Sequence, residues 1–223
     1  MTMVFRILLT LCCLVLSINC YADRVIGVVL GVIGEARIQH GNKQIDVQRD
    51  TPIFVQDEIT SGAEGARVQL RFNDGTLTTL GENTTFRVNK FRYQSKASTT
   101  NQAQFKLLKG VFRTVTGWLL EKSGSRYSVI TPAGTLGIRG TDFWGGYLSE
   151  DNVDVLLISG KHALEVSNKY GSVSLNKAGE GTTLTKDFAA PKLKVWPETK
   201  VQKAMATIAW PNGDVHISEK QKY

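Results

Sequence analysis

The chain has 223 residues, 42% of them apolar and 21% charged, a globular rather than a disordered composition. Twenty-one glycines, five prolines, 20 valines and 21 threonines favour pleated strands punctuated by glycine turns. That mix excludes collagen, a coiled coil and a multi-pass membrane protein, and the missing long helical patterns argue against a doubly wound α/β enzyme.

The amino-terminal stretch, residues 1–22, reads as an export signal. Arg6 and the amino terminus supply positive charge, and residues 7–22 carry none. Small residues stand at Cys20 and Ala22, the two positions that signal peptidase reads, so cleavage is expected between Ala22 and Asp23. Lipidation of Cys20 fits poorly, because Ser17-Ile18-Asn19 precedes it. An uncleaved anchor fits poorly too, since the run is short of the roughly 20 residues that span a bilayer. The three cysteines, Cys12, Cys13 and Cys20, all precede the cut. Disulfides and thiolate metal sites are therefore not expected in the mature chain. Its expected location is periplasmic or secreted, not membrane-spanning after cleavage. The mature chain would keep 26 basic and 20 acidic residues. Outside the cytoplasm that balance points to anionic envelope polymers rather than nucleic acid.

Beyond the signal, short alternating runs recur between turn signals. Residues 34–39 and 43–48 alternate around a His40-Gly41-Asn42 turn. In residues 66–72, Ala66, Val68, Leu70 and Phe72 share one face and Arg67, Gln69 and Arg71 the other, the mark of a half-buried strand. Asn73-Asp74-Gly75 then signals a tight turn. Residues 127–130, 153–158, 162–166 and 172–175 alternate in the same way, and the polar stretch 97–104 reads as a loop. Ten to fifteen short strands predict an all-β fold, either a β-solenoid or a sandwich. One helix is expected over residues 197–208, with Pro197 and Glu198 in its first turn and Val201, Ala204, Met205 and Ile208 on one face. Asn212-Gly213 would turn a last hairpin. The expected organisation is a β domain over residues 23–190 with a helix and hairpin tail, 191–223, packed on it.

Three stretches are specific in order and spacing. The first, residues 57–84, contains Asp57, Gly62, Gly65, Asp74 and Gly75. The second is Leu107-Leu108-Lys109-Gly110-Val111-Phe112-Arg113. The third, residues 131–143, contains Pro132, Gly137, Arg139, Gly140 and Thr141, and is followed by a strand that ends at Gly160. Over roughly residues 33–184 the set resembles the FecR-like domain, the family named after the periplasmic sensor of iron-citrate signalling. Gln56 departs from the pattern, which usually has glycine before the aspartate. The motif residues read as structural: the glycines suit turns and close backbone approach. Arg139 reads either as a guanidinium folded back onto carbonyl groups or as a contact to a partner.

The resemblance implies a non-enzymatic binding or scaffolding module of the envelope, in a signalling or surface-assembly system. The regulators that name the family carry a cytoplasmic segment that holds a sigma factor. About six residues precede the apolar run here, too few for that segment, so the expectation is an exported module without it. The stretch after residue 184 is short for the extra subdomain that docks on an outer-membrane receptor.

Catalytic motifs are missing from the sequence: it has no G-x-S-x-G elbow, H-E-x-x-H pair or Walker loop. No cofactor and no metal site is expected, since His40, His162 and His216 are far apart and Glu150, Asp151 and Asp154 follow no calcium-loop spacing. Trp118, Trp144, Trp196 and Trp210 read as packing residues before sugar platforms.

The charge distribution is less ordinary. Residues 83–126 hold nine basic side chains, Arg87, Lys90, Arg92, Lys96, Lys106, Lys109, Arg113, Lys122 and Arg126, against Glu121 alone, a net charge of +8. Either these are solvated strand faces or they form one basic surface. The candidate site on the second reading is Arg87, Lys90, Arg92, Lys106, Lys109 and Arg113, and its partner an envelope protein or an anionic glycan or lipid headgroup.

Overall fold

The computed structural model describes residues 24–93, 101–117, 125–138, 140–185 and 189–211. The export signal, Arg139, Trp118, His216 and the expected last hairpin lie outside these residues. In chain order the strands are β1 (Gly27–Ile33), β2 (Ala36–His40), β3 (Lys43–Asp46), β4 (Pro52–Ile53), β5 (Glu58–Ser61) and β6 (Arg67–Phe72). Then come β7 (Leu77–Leu80), β8 (Thr85–Arg92), β9 (Gln102–Lys109), β10 (Val111–Val115), β11 (Arg126–Thr131) and β12 (Gly134–Ile138). The last are β13 (Thr141–Gly146), β14 (Val153–Gly160), β15 (Leu164–Asn168), β16 (Gly171–Leu175), β17 (Glu180–Leu184) and β18 (Lys194–Val195), before the helix α1 (Glu198–Ala206).

These strands make two nine-stranded sheets. The first runs β18-β17-β14-β13-β10-β7-β6-β1-β4, the second β16-β15-β12-β11-β9-β8-β5-β2-β3. The sheets face each other across one core. Phe72 of the first lies 4.9 Å from Phe105 of the second, and Phe86 of the second 5.7 Å from Phe112 of the first, ring centre to ring centre. The all-β expectation is met, and of its two forms the structure takes the sandwich. Both sheets advance almost in chain order from one edge to the other, because the chain alternates layers every one or two strands. Only β9 and β11 pair in parallel; every other pairing among the described residues is antiparallel.

The crossings explain several glycines. At Gly110 the chain leaves the second sheet at β9 and enters the first at β10. Its φ is +83°, and a Cβ there would lie 2.4 Å from the Thr84 Cα. Only glycine fits such a backbone approach. Of the stretch expected to be a loop at residues 97–104, residues 97–100 lie outside the described residues, and Gln102 already opens β9.

α1 forms where its apolar stripe predicts. Ala204 and Ile208 are buried and Val201 and Met205 half-buried, against Val111, Trp144, Leu156 and Trp196 on the outer face of the first sheet. Trp144 Nε1 donates to Thr207 Oγ1 at 3.0 Å, and Lys200 sits over the Trp196 ring at 4.0 Å. The same segment buries Arg67 and Gln69, which the strand alternation places in solvent. Arg67 Nη2 donates to the Ala206 carbonyl at 3.3 Å. No helix among the described residues is long and apolar enough to cross a membrane.

Candidate binding surface

Strand alternation puts Phe86, Val88, Ala103, Phe105, Leu107, Tyr127 and Val129 into the core. Their neighbours on β8, β9 and β11 therefore face outward. Registers align those neighbours into three rows across the second sheet. The first row is Arg92, Gln102 and Arg126. The second is Lys90, Gln104, Ser128, Gly137 and Glu165. The third runs Glu58, Arg87, Lys106, Ile130 and Thr135. A bulge between Val88 and Lys90 keeps Lys90 and Arg92 on the same outer face as Arg87.

Arg87, Lys90, Arg92 and Lys106 thus share one face, joined by Arg126. None of them forms an ion pair with a described acidic residue. Arg87 Nη2 donates to Gln56 Oε1 at 3.0 Å, while its Nε is buried with no hydrogen-bond partner. Arg87 and Lys106 are directly opposed, an arrangement that costs stability in an antiparallel pair. Lys109 stands at the far end of β9, opposite Thr85, and lines a different cleft with Leu108, Tyr147 and Glu150. Arg113 does not belong with the others. It follows the Gly110 crossing into the first sheet, where its Nε and Nη2 donate to Asp142 at 2.9 and 2.8 Å. Nearness in sequence had grouped it with residues on the opposite layer.

Beside the basic rows lies an open cleft of about 710 Å³ with a mixed lining, in which Gln102, Gln104, Arg126, Ser128, His162 and Glu165 stand beside Ile138 and Ala163. The sequence listing of cations missed these amides. Their signal was present in the alternation of Gln102, Gln104 and Lys106 with Ala103, Phe105 and Leu107.

The residues read as structural occupy turns and strand ends. Asp57 is fully buried, accepts from Phe54 N at 2.8 Å and lies 2.6 Å from His40 Nδ1. Gln56 has φ +73°, which accounts for the glycine that the FecR-like pattern has there. Gly62 and Gly65 flank the turn into β6. Asp74 and Gly75 form the β6–β7 turn, in which Asp74 accepts from both the backbone N and the hydroxyl of Thr76. Burial pushes the Asp74 carboxyl above its ordinary range. Pro132 sits in the β11–β12 turn and Gly160 ends β14. Gly137 lies within β12, where a Cβ would meet only ordinary contacts. Gly140 has φ +56°. At Thr141 the Thr116 hydroxyl accepts from the backbone N at 2.7 Å and donates to the carbonyl at 3.0 Å.

Trp144 and Trp196 are buried beneath the helix and Trp210 packs on Gly31. Asp154 accepts from Thr183 at 2.6 Å and from Lys200 at 2.7 Å, so it is engaged within the fold.

Two crystal structures of a candidate anti-sigma factor from Parabacteroides distasonis ATCC 8503 are similar in shape. Their TM-scores are 0.49 and 0.50 at 19% and 18% identity. Each match covers 65% of this chain and 62% of that one, so this chain spans less than two thirds of those proteins' length. At such identity the likeness concerns the fold alone. No curated protein matches the sequence. Residues 57–161 match the family model described as FecR protein. That interval begins just before β5 and ends just after β14, so the part of the chain that is similar to the family is the central strands of both sheets.

Proposed function

We propose that the protein is an exported, non-enzymatic FecR-type binding module of the bacterial cell envelope, serving a signalling or surface-assembly system, and that it meets its partner through the outer face of the second sheet. One observation carries the reading: Lys90, Arg92, Lys106 and Arg126 stand on three adjacent strands of one face, without an acidic partner among the described residues. Isolated surface charges are screened within about 8 Å at physiological salt. Charges on neighbouring strands, about 5 Å apart, act together. The opposite sheet offers no equal surface, because α1 and the segment around it cover much of its outer face. The FecR domain and the anti-sigma-like fold support the signalling context.

The cysteine-free mature sequence permits a direct test. Gln104→Cys in the basic face and Lys192→Cys, far from it at the start of the β18 edge, are each labelled with a maleimide in the presence of envelope fragments. The reading expects protection of position 104 and none of position 192. Equal labelling of position 104 with and without envelope material would contradict it.

A further inference from the structure

The second sheet's outer face combines two features that a general charge patch lacks. Its cations are interleaved with amides at fixed register, and its rows open into a cleft that Gln102, Gln104, Ser128 and Glu165 help to line. In the first row Gln102 lies between Arg92 and Arg126, with one strand spacing to either side, so the two guanidinium-bearing positions are about 10 Å apart. In the second row Lys90 leads to Gln104, Ser128 and the flat backbone of Gly137. Across β8, β9, β11, β12 and β15 the surface extends about 20 Å.

Resting on the binding reading above, we propose that this face is a site for an acidic polysaccharide laid across the strands, its carboxylates or phosphates on Arg92, Arg126, Lys90 and Lys106 and its hydroxyls on Gln102, Gln104 and Ser128. The chemistry of the residues selects this partner. Protein interfaces are anchored by buried aromatic or aliphatic side chains, and a lipid surface needs an apolar wedge. In the three rows between β8 and β15 the one apolar side chain is the half-buried Ile130, with no aromatic beside it. The exposed large apolar residues Val25, Ile45, Tyr170, Leu193 and Val195 lie elsewhere, and Leu108 lines the separate cleft at the end of β9. Amides and hydroxyls match a hydroxyl-rich chain. The opposed Arg87 and Lys106 form a pair whose mutual repulsion a bound anion relieves.

The test is retention of the mature protein on four immobilised probes: polygalacturonate, neutral dextran, poly-glutamate, and phosphatidylglycerol vesicles. At about 50 mM salt the protein should be held by polygalacturonate, ignored by dextran, and released by about 500 mM salt. The combined change Lys90→Glu, Arg92→Glu, Lys106→Glu and Arg126→Glu should abolish retention. Its milder counterpart, glutamine at the same four positions, secures the result if the reversal disturbs folding. Gln102→Ala with Gln104→Ala should weaken retention on polygalacturonate and leave poly-glutamate unaffected. Equal retention on poly-glutamate or vesicles, insensitive to the glutamine changes, would overturn the polysaccharide assignment, as would no retention on any probe. If position 104 is still shielded by envelope fragments in that case, the binding reading stands and only the ligand class falls.

Discussion

Gln56 shows how a single residue links backbone strain to the candidate surface. Its φ of +73° costs a side-chain-bearing residue roughly 1–2 kcal/mol. In return its Nε2 donates to the Asn89 carbonyl at 2.7 Å and its Oε1 accepts from Arg87 at 3.0 Å. Gln56→Gly should relieve the strain and lose both bonds, whereas Gln56→Ala loses the bonds and keeps the strain. Chemical denaturation should therefore find the alanine variant less stable than the glycine variant by about 1 kcal/mol. Equal stabilities would refute the strain. Asp74 makes a second residue-scale prediction. Because burial raises its carboxyl in the folded protein, its contribution is full below the unfolded value and is lost as pH rises through the folded one. Asp74→Asn keeps an acceptor for Thr76 N and cannot ionise. The variant should gain on the wild type as pH rises from about 4 towards neutrality, read from urea midpoints at several pH values.

At the scale of elements, the alternation of apolar and polar side chains made individual strands legible. Residues 153–158 and 172–175 fall within β14 and β16, and the apolar stripe of residues 197–208 marks α1. Layer assignment was not legible, for a physical reason. The crossing at Gly110 takes one residue, so Lys109 and Arg113 stand on different sheets although four positions apart. Nor does alternation reveal what lies over a strand's outer face, which is why Arg67 and Gln69 are buried against expectation. A nine-residue helix is too short to persist alone in water and depends on its seat. Trp144, fully buried with its Nε1 bonded to Thr207, is central to that seat. Trp144→Ala should cost about 3–5 kcal/mol and lower the helical signal in circular dichroism. The β8–β9 pair predicts the opposite sign: Lys106→Glu places an acid opposite Arg87 and should raise stability by about 0.2–1 kcal/mol while weakening binding. A residue whose loss improves the fold and harms the interaction is held there for the interaction.

For the whole molecule, the stretch that matches the FecR family model supplies the central strands and the flanking strands prolong the same two sheets. The positive charge gathered in residues 83–126 was visible in the sequence, and the registers of β8, β9 and β11 place four of its six named cations on one face. The cleft was not visible, since Gln102 and Gln104 on β9 meet His162 and Glu165 only through the sheet order. The export reading predicts a mature chain that begins at Asp23, and intact mass of the exported protein checks it; a retained Met1 or a lipid on Cys20 would contradict it.

The central claim is that this face, and not the charge of the molecule at large, makes the contact. It is tested most directly by titrating isolated envelope polymer with the wild type and with the variant reversed at Lys90, Arg92, Lys106 and Arg126, beside a control reversed at Lys43, Lys169, Lys192 and Lys194. The two variants have the same net charge. Salt-dependent binding by the wild type and the control, with none by the face variant, is the predicted result. Equal weakening of both variants would show that binding follows net charge and would contradict the account.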